Sequence, residues 1–555
     1  MAKTLLSSWQ RLIKMLKLDK KDIRQIFFYA IFAGLVSLSL PLGIQAIINL
    51  LQSAQISSSW IVLVVLVTLG VVFAGILQLM QMRIIENVQQ KIFTRASFEF
   101  SYRFPKIKMK ELRNYYPPEL ANRFFDTLTV QKGLSKLLVD FPAAILQIIF
   151  GLLLLSFYHP FFIIYGLLLI LLIYIVFKFS AQKGLDTSLD ESKQKYKVAH
   201  WIQEVARSII SFKLSGRTSL ALNKNDYLVS EYLDARESHF RILIQQFIKL
   251  IGFKVLVTAG LLVIGGLLVL NQQMNIGQFV AAEIIILLVI QSVEKLIFGL
   301  ETFYDVLTSM EKLGQVVDKD LESQGGELVI LDNDKLHIEL ENIEFKVPDR
   351  ERPILSNISF SIHPKERIFI KGLNGSGKSS LLKLIAGINE PTMGDIYVNG
   401  RSLKGLNLND YRSYIGQSLS EETPFEGSIR DNITFGNQNI DDQTLQWAIE
   451  NTGLDSFVKS QPSGLKTILY PEGQRLSSSI SKKIVLARSI INKPKLLLLK
   501  NPLDKLEKGE ALKIMDFLTD TNHPWSIVVV SYNDDWQTKC NRTIDLENGK
   551  INSNL

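Results

Sequence analysis

The stretch Gly372-Leu373-Asn374-Gly375-Ser376-Gly377-Lys378-Ser379 follows the apolar run Arg367-Ile368-Phe369-Ile370 and precedes a helical run from Ser380 to Ile388. It fits G-x-x-x-x-G-K-[ST] in a strand–loop–helix context, the pattern of a phosphate-binding P-loop. The chemistry accounts for the spacing. Glycines let the backbone curl so that N–H groups point at phosphate oxygens, and the helix N-terminus adds its positive dipole end. Lys378 is expected to reach the terminal phosphates, and the Ser379 hydroxyl to ligate Mg²⁺. Gly372, Asn374, Gly375, Ser376, Gly377 and Ser380 complete the expected cradle.

A chain of 555 residues exceeds a single core and implies two or more domains. Its 47% hydrophobic content is high beside 21% charged residues. A net charge of +8 raises nucleic acid as a partner, but the basic residues flank apolar runs instead of forming one basic domain. Cytoplasmic loops of a membrane protein explain that better. The lone Cys540 excludes an intrachain disulfide framework.

Within residues 1–20, Leu5, Trp9, Leu12, Ile13 and Leu16 share one helical face, with Arg11, Lys14 and Lys17 elsewhere. That reads as an amphipathic helix in the membrane interface. A cleavable signal peptide fits less well, because the following apolar run is too long and no small-residue cleavage site stands out. Six apolar segments follow, at about 26–51, 59–82, 137–158, 160–180, 247–270 and 276–300, each near the length that spans a bilayer. Loops 52–59 and 271–277 hold no Lys or Arg, whereas 83–136 and 181–246 are long and basic. By the positive-inside rule the termini and long loops are cytoplasmic. The long loops are expected to be helices reversed near Tyr115-Tyr116-Pro117-Pro118-Glu119-Leu120 and Ser208–Leu214, with tips that press on a cytoplasmic domain.

Lys254 and Glu283 fall inside predicted spans, where charge is costly and usually faces a cavity or a partner. Lys254 lies about 12 Å from the inner end of its helix and Glu283 about 10 Å from the outer end of the next, so their depths do not match for a direct pair. Their open alternatives are a place in the substrate path and a structural interhelical bond.

A composition shift at about 315–335 marks a linker, so a membrane domain (21–320) precedes a second domain (330–555). There, short β-rich runs (His337–Val347, Asn357–Ile362, Arg367–Ile370, Asp395–Val398, Leu496–Leu499, Ile527–Val530) alternate with helical stretches, predicting an α/β domain with a largely parallel sheet.

Six spans, long cytoplasmic loops and a C-terminal P-loop domain together resemble an ABC exporter half-transporter. The membrane half is most similar to type I secretion exporters of peptides or proteins. The resemblance implies a multi-domain fold, with a six-helix transmembrane domain followed by an α/β P-loop nucleotide-binding domain that takes ATP. It also implies the inner (plasma) membrane, a second half-transporter as homo- or heterodimer partner, the lipid membrane, a periplasmic adaptor as a candidate partner, and no nucleic acid. Gln417 in Tyr414-Ile415-Gly416-Gln417 matches the Q-loop, which in the family senses Mg²⁺ and the γ-phosphate. Pro424–Ile433 and Leu486-Ala487-Arg488 match neighbouring family segments.

The departures concentrate at the chemistry. Where the family ends a strand in a Mg²⁺-holding Asp and a water-polarising Glu, this chain has Leu496-Leu497-Leu498-Leu499 and then Lys500-Asn501-Pro502. The signature Leu-Ser-Gly-Gly-Gln becomes Leu476-Ser477-Ser478-Ser479-Ile480, Ser531-Tyr532 stands at the switch histidine, and Val347 at the adenine-stacking aromatic. No catalytic residue is intact, and a Mg²⁺ site on Ser379 and Gln417 lacks its acid. A positioned general base contributes roughly 10²- to 10⁴-fold. At about 5 Å from Lys378, Lys500 would repel it by roughly 3 kcal/mol at an effective dielectric of about 20. Three readings follow: a transporter subunit with little hydrolysis of its own, a non-transporting nucleotide-binding scaffold of a secretion assembly, and an ordinary ATP-driven exporter with tolerated substitutions.

Overall fold

The structure is a computed structural model that describes residues 7–52, 58–178 and 181–552. It divides into two compact units, one of residues up to 106 together with 112–319, and one of 107–111 together with 320–555.

The first unit is helical. Its chain order is α1 (Ser8–Leu18), α2 (Lys20–Ser37), α3 (Ser39–Gln52), α4 (Ser58–Arg103), the short α5 (Met109–Leu112, shared with the second unit) and α6 (Pro117–Ala121), α7 (Asp126–Ser156), α8 (Phe161–Lys178), α9 (Ala181–Arg207), α10 (Ile209–Leu214), α11 (Leu220–Leu270) and α12 (Ile276–Val317). Among the described residues, five stretches are long and apolar enough to cross a membrane: α2 with α3, α4, α6 through α7, α11 and α12. The expected span 160–180 falls on α8, apolar over Phe161–Tyr174, and its last two residues lie outside the described ones. The first span breaks at Leu38, because Pro41 has no N–H to return to the Ser37 carbonyl. Half of the most apolar window of α12 is buried, against 11% for α4, so α12 is the core helix of this unit. Along α4 the exposed Val62, Leu66, Leu69 and Phe73 form the kind of surface that only lipid or another chain would cover.

Both long connections reverse where expected, at α5–α6 and at α10. The segment assigned to the second unit is Ile107–Glu111, upstream of Tyr115–Leu120. Ile107 bridges to Leu321, and Lys108 pairs with Glu390 at 2.9 Å. On α10, Ile209, Ile210 and Leu214 are exposed. The apolar face of α1 is spent largely on protein: Leu12 is buried with Ile26, Val306, Leu307 and Met310, with Met15 and Leu16 packed against them. Arg11 anchors the helix through Glu311 and, at 2.7 Å, Asp318. These contacts give part of the expected interfacial face to protein, while Trp9 stays exposed and Leu5 lies outside the described residues.

The second unit is α/β. Its strands are β1 (Ile338–Phe345), β2 (Leu355–Ile362), β3 (Arg367–Lys371), β4 (Met393–Val398), β5 (Arg401–Ser402), β6 (Ile415–Ser418), β7 (Gly427–Ser428), β8 (Ile468–Leu469), β9 (Leu496–Lys500), β10 (Ser526–Val530), β11 (Arg542–Glu547) and β12 (Lys550–Ile551). The main sheet has the order β12-β11-β3-β10-β9-β6, parallel except for β12. β1, β2, β4 and β5 form a separate antiparallel sheet, which local apolar patterning does not distinguish from the parallel one. In the main sheet, Ile368, Ile370, Leu498 and Val528 enter one core, while Phe369, Leu497, Leu499 and Val529 enter the other. A strand buried on both faces reads as a continuous apolar run, which is why Leu496–Leu499 carries no polar residue.

Candidate functional site

β3 feeds the P-loop, and α13 (Lys378–Ile385) leaves it. Two glycines are dictated by geometry. Gly372 has φ 145°, and a Cβ there would stand 2.1 Å from the Leu546 carbonyl oxygen; Gly377 has φ 104°, and its Cβ would meet Leu355 Cδ2 at 2.7 Å. Any other residue would be strained in both backbone and packing. A Cβ on Gly375 would instead meet nothing within 4 Å, so the loop has free space at its crest.

That space belongs to a cavity of about 340 Å³ lined by Asn374–Ser380 of the loop and its helix. Across from them stand Lys500 and Asn501 at the end of β9, and Val530, Ser531 and Tyr532 at the end of β10; Arg350 and Ile354 complete the wall. The parallel register of β9 and β10 sets Lys500 opposite Val530, which delivers the two strand ends to one place. Lys378 donates to the main-chain oxygens of Gly372 (2.6 Å) and Leu373 (2.8 Å), bonds that a phosphate would replace. Its ammonium is held below the usual lysine range, first by burial and then by the nearby Lys500 charge. Asn501 takes the left-handed conformation at φ 46°, which asparagine tolerates, and its N–H reaches the Val530 carbonyl at 2.8 Å. Its buried Oδ1 accepts no hydrogen bond among the described residues. The Tyr532 hydroxyl donates to Asn374 Oδ1.

Three cations (Arg350, Lys378 and Lys500) line this cavity and no carboxylate does. A polyphosphate suits that lining: curled main chain, a helix N-terminus and concentrated positive charge. Magnesium does not fit the donor set. It prefers oxygen ligands and is usually bound through one or two carboxylates, and the lining supplies the Ser379 hydroxyl with none. Among the described residues, no group of three His, Cys, Asp or Glu could hold a metal. Asp504, which accepts from Ser531 at 3.3 Å, and Glu421, paired with Lys383 at 3.0 Å, lie outside the lining.

Gln417 stands on β6 in register with Leu498 of β9 and does not line the cavity. Val347 packs at the edge of the core. Arg350 is the lining residue that sequence reasoning missed; it sits in a turn, and no motif signals it. The signature-position residues still open a helix, α18 (Ser478–Ile490), after four short helices, α14 (Leu408–Ser413), α15 (Ile429–Thr434), α16 (Asp442–Asn451) and α17 (Asp455–Ser460). Ser477 caps α18 by accepting from the Ile480 N–H at 3.3 Å. Helix start and cap are therefore present with serines at Ser477, Ser478 and Ser479.

In the membrane unit the expected charges resolve differently. Lys254 of α11 pairs with Glu294 of α12 at 2.7 Å, not with Glu283. Glu294 also lies inside the span 276–300 and was passed over in the sequence, as was Lys295. At about 9 Å from the inner end of that span, Glu294 matches the depth of Lys254, as Glu283 does not. Glu283 is exposed on α12, with no ion pair among the described residues.

Residues 355–504 match the ABC transporter family, and residues 23–293 match the ABC transporter transmembrane region. Over 521 residues the chain is 24% identical to a putative export ATP-binding/permease protein of Rickettsia bellii, covering 92% of this chain and 89% of that one. It is 29% identical over 307 residues to the alpha-hemolysin translocation ATP-binding protein HlyB of Escherichia coli, a match that spans 55% of this chain and 43% of HlyB. The match spans only 14% of the ABC-type transporter MDR1 of Aureobasidium melanogenum. In fold the chain is similar to a bacterial Atm1-family ABC exporter solved with ATP bound, with a TM-score of 0.83 at 15% identity, over 96% of this chain and 94% of that one. With membrane region, nucleotide-binding region and fold in agreement, this chain belongs to the ABC transporters, as an integral membrane half-transporter of exporter type.

Proposed function

We propose that this half-transporter binds ATP but turns it over little by itself, and that it works in the membrane as half of a dimeric exporter. The observation that carries the reading is the acid-free, three-cation lining of the phosphate cavity. Bound ATP would supply a triphosphate, whose charge the chain's own residues then manage. Lys378 exchanges its two carbonyl partners for phosphate oxygens, and the loop N–H groups hold the remainder. Lys500 takes over part of the counter-charge that a metal would otherwise carry. Asn501, whose amide cannot accept a proton usefully, leaves the attacking water without a base, a loss of roughly 10²- to 10⁴-fold.

A second half is expected because one membrane unit and one nucleotide domain make half of such a transporter. In the family each nucleotide lies between one subunit's P-loop and the other's signature. This chain departs at both, so a homodimer would be close to inactive, and pairing with a competent partner is the favoured arrangement. The matches to HlyB and to the Rickettsia export protein support export as the activity.

The test is ATP binding and turnover by the lipid-reconstituted protein, with and without Mg²⁺, beside Lys378→Ala. Metal-independent binding that the substitution removes, with turnover no higher than in the variant, is the expected result. Turnover that disappears in Lys378→Ala would overturn the reading, as would binding that strictly requires Mg²⁺.

A further inference from the structure

A second cavity of about 600 Å³ lies wholly within the helical unit, among α2, α4, α7 and α12. Small residues on one face of α2, Ala30, Ala33, Gly34 and Ser37, make the room. Four glutamines face it (Gln78, Gln81, Gln147 and Gln291), together with Lys136, Asp140 and Lys295. The charged groups and two of the glutamines cluster toward one end of their spans, while Gln147 and Gln291 reach about 13–15 Å further in. Gln78 and Gln81 close the predicted span 59–82, Lys136 immediately precedes 137–158 and Asp140 lies in its first turn, and Lys295 is near the end of 276–300. Each is the cytoplasmic end of its span, so the cavity lies in the inner half of the membrane.

Asp140 and Lys295 lie inside predicted spans, where charge is costly and usually serves a pathway or a partner, and Lys136 stands at the boundary within reach of the same cavity. Some of the polar groups here are already committed. Gln81 is buried and donates to the Ile26 carbonyl at 3.2 Å, and Gln147 accepts from Ser292 at 3.1 Å. Glu294, the neighbour of Lys295, is taken by Lys254 at 2.7 Å, so it does not compensate the cavity. Among the described residues Lys136, Asp140 and Lys295 form no ion pair, and two ammoniums stand against one carboxylate. The free capacity is therefore cationic, surrounded by amides, beside the apolar Met82, Ile85, Val139 and Leu288.

We propose that this cavity binds the anionic head of an amphiphile, with Lys136 and Lys295 on the charge, the glutamine amides on its oxygens, and the apolar wall along the start of its chain. This names a substrate class for the transport path and rests on the reading of the chain as an exporter subunit. A cationic amphiphile is disfavoured by the two lysines, and a neutral one leaves their charge unmet.

The experiment uses the full chain in lipid nanodiscs and a dodecyl phosphate bearing a diazirine, with photolabelled peptides mapped by mass. Labelling is expected on α2, α4, α7 and α12, competed by unlabelled dodecyl phosphate and not by dodecyltrimethylammonium or dodecyl maltoside. Lys136→Gln with Lys295→Gln should weaken the competition roughly ten- to a hundredfold, the weight of hydrogen bonds to a charged group. Lys295→Arg should retain it. Charge-indifferent competition, labelling unaffected by the double substitution, or equal loss in Lys295→Arg would each overturn the proposal. Nucleotide binding is read on the same samples, so the two readings fail separately. Absent nucleotide binding with the labelling pattern intact removes the nucleotide reading alone. Intact nucleotide binding with charge-indifferent labelling removes the anion site alone.

Discussion

The Tyr532 hydroxyl donates to Asn374 Oδ1, joining the second residue after β10 to the P-loop across the phosphate cavity. Both residues line the phosphate cavity. The contact ties the loop to the strand end, and a phosphate entering there has to displace it. Tyr532→Phe should therefore bind nucleotide more tightly, by up to about fivefold, since an intramolecular hydrogen bond is worth about 1 kcal/mol net. Titration with a fluorescent nucleotide checks this, and weaker binding would show that the hydroxyl contacts ligand instead.

The carboxylate-free lining of the cavity is the second lever. Lys500→Asp with Asn501→Glu should create Mg²⁺-dependent turnover, with a gain within the roughly 10²- to 10⁴-fold range of a positioned base. Asn501→Glu alone should gain far less, because the Lys500 charge in the same cavity still opposes a metal. Phosphate release by the two variants, side by side, decides it. Equal activities would mean that Lys500 does not block the metal.

The Lys378 ammonium is depressed by burial and then by Lys500, which gives a sign to the pH dependence. The charged form is disfavoured in the folded protein, so its cost to stability is present at low pH and relieved as pH rises through the lowered value. Nucleotide binding runs the other way, because phosphate favours the charged lysine. Affinity should fall as pH rises through a point below the ordinary lysine range. Lys500→Met should move that fall to higher pH, and an unchanged profile would place the two lysines out of electrical contact.

Lys254 and Glu294 invite a double-mutant cycle in the membrane unit. Lys254→Met and Glu294→Gln should each lower the unfolding midpoint, because each strands a charge or its partner in the span. Their combination should recover part of the loss, with a coupling energy of about 0.5–3 kcal/mol. Thermal melts in detergent measure it, and strict additivity would mean that the pair contributes nothing.

Much of the architecture was legible from local chemistry. Apolar runs long enough for a bilayer announce spans without any partner, and the spacing of Gly372, Gly377, Lys378 and Ser379 announces a phosphate loop, because backbone geometry demands those residues there. The run of Leu496–Leu499 into Lys500 and Asn501, with no acid in it, was equally local. Only the tertiary structure decided which distant side chains meet. Register between β9 and β10 brought Lys500 and Tyr532 to one cavity with Arg350, which no motif marks. Equal depth on α11 and α12 joined Lys254 to Glu294 instead of Glu283. The polar cavity drew on four helices whose residues lie hundreds of positions apart. Pairing across elements depends on register and rotation, which short-range periodicity does not encode. Composition and spacing therefore determined the parts of this half-transporter, and packing determined which charges face each other.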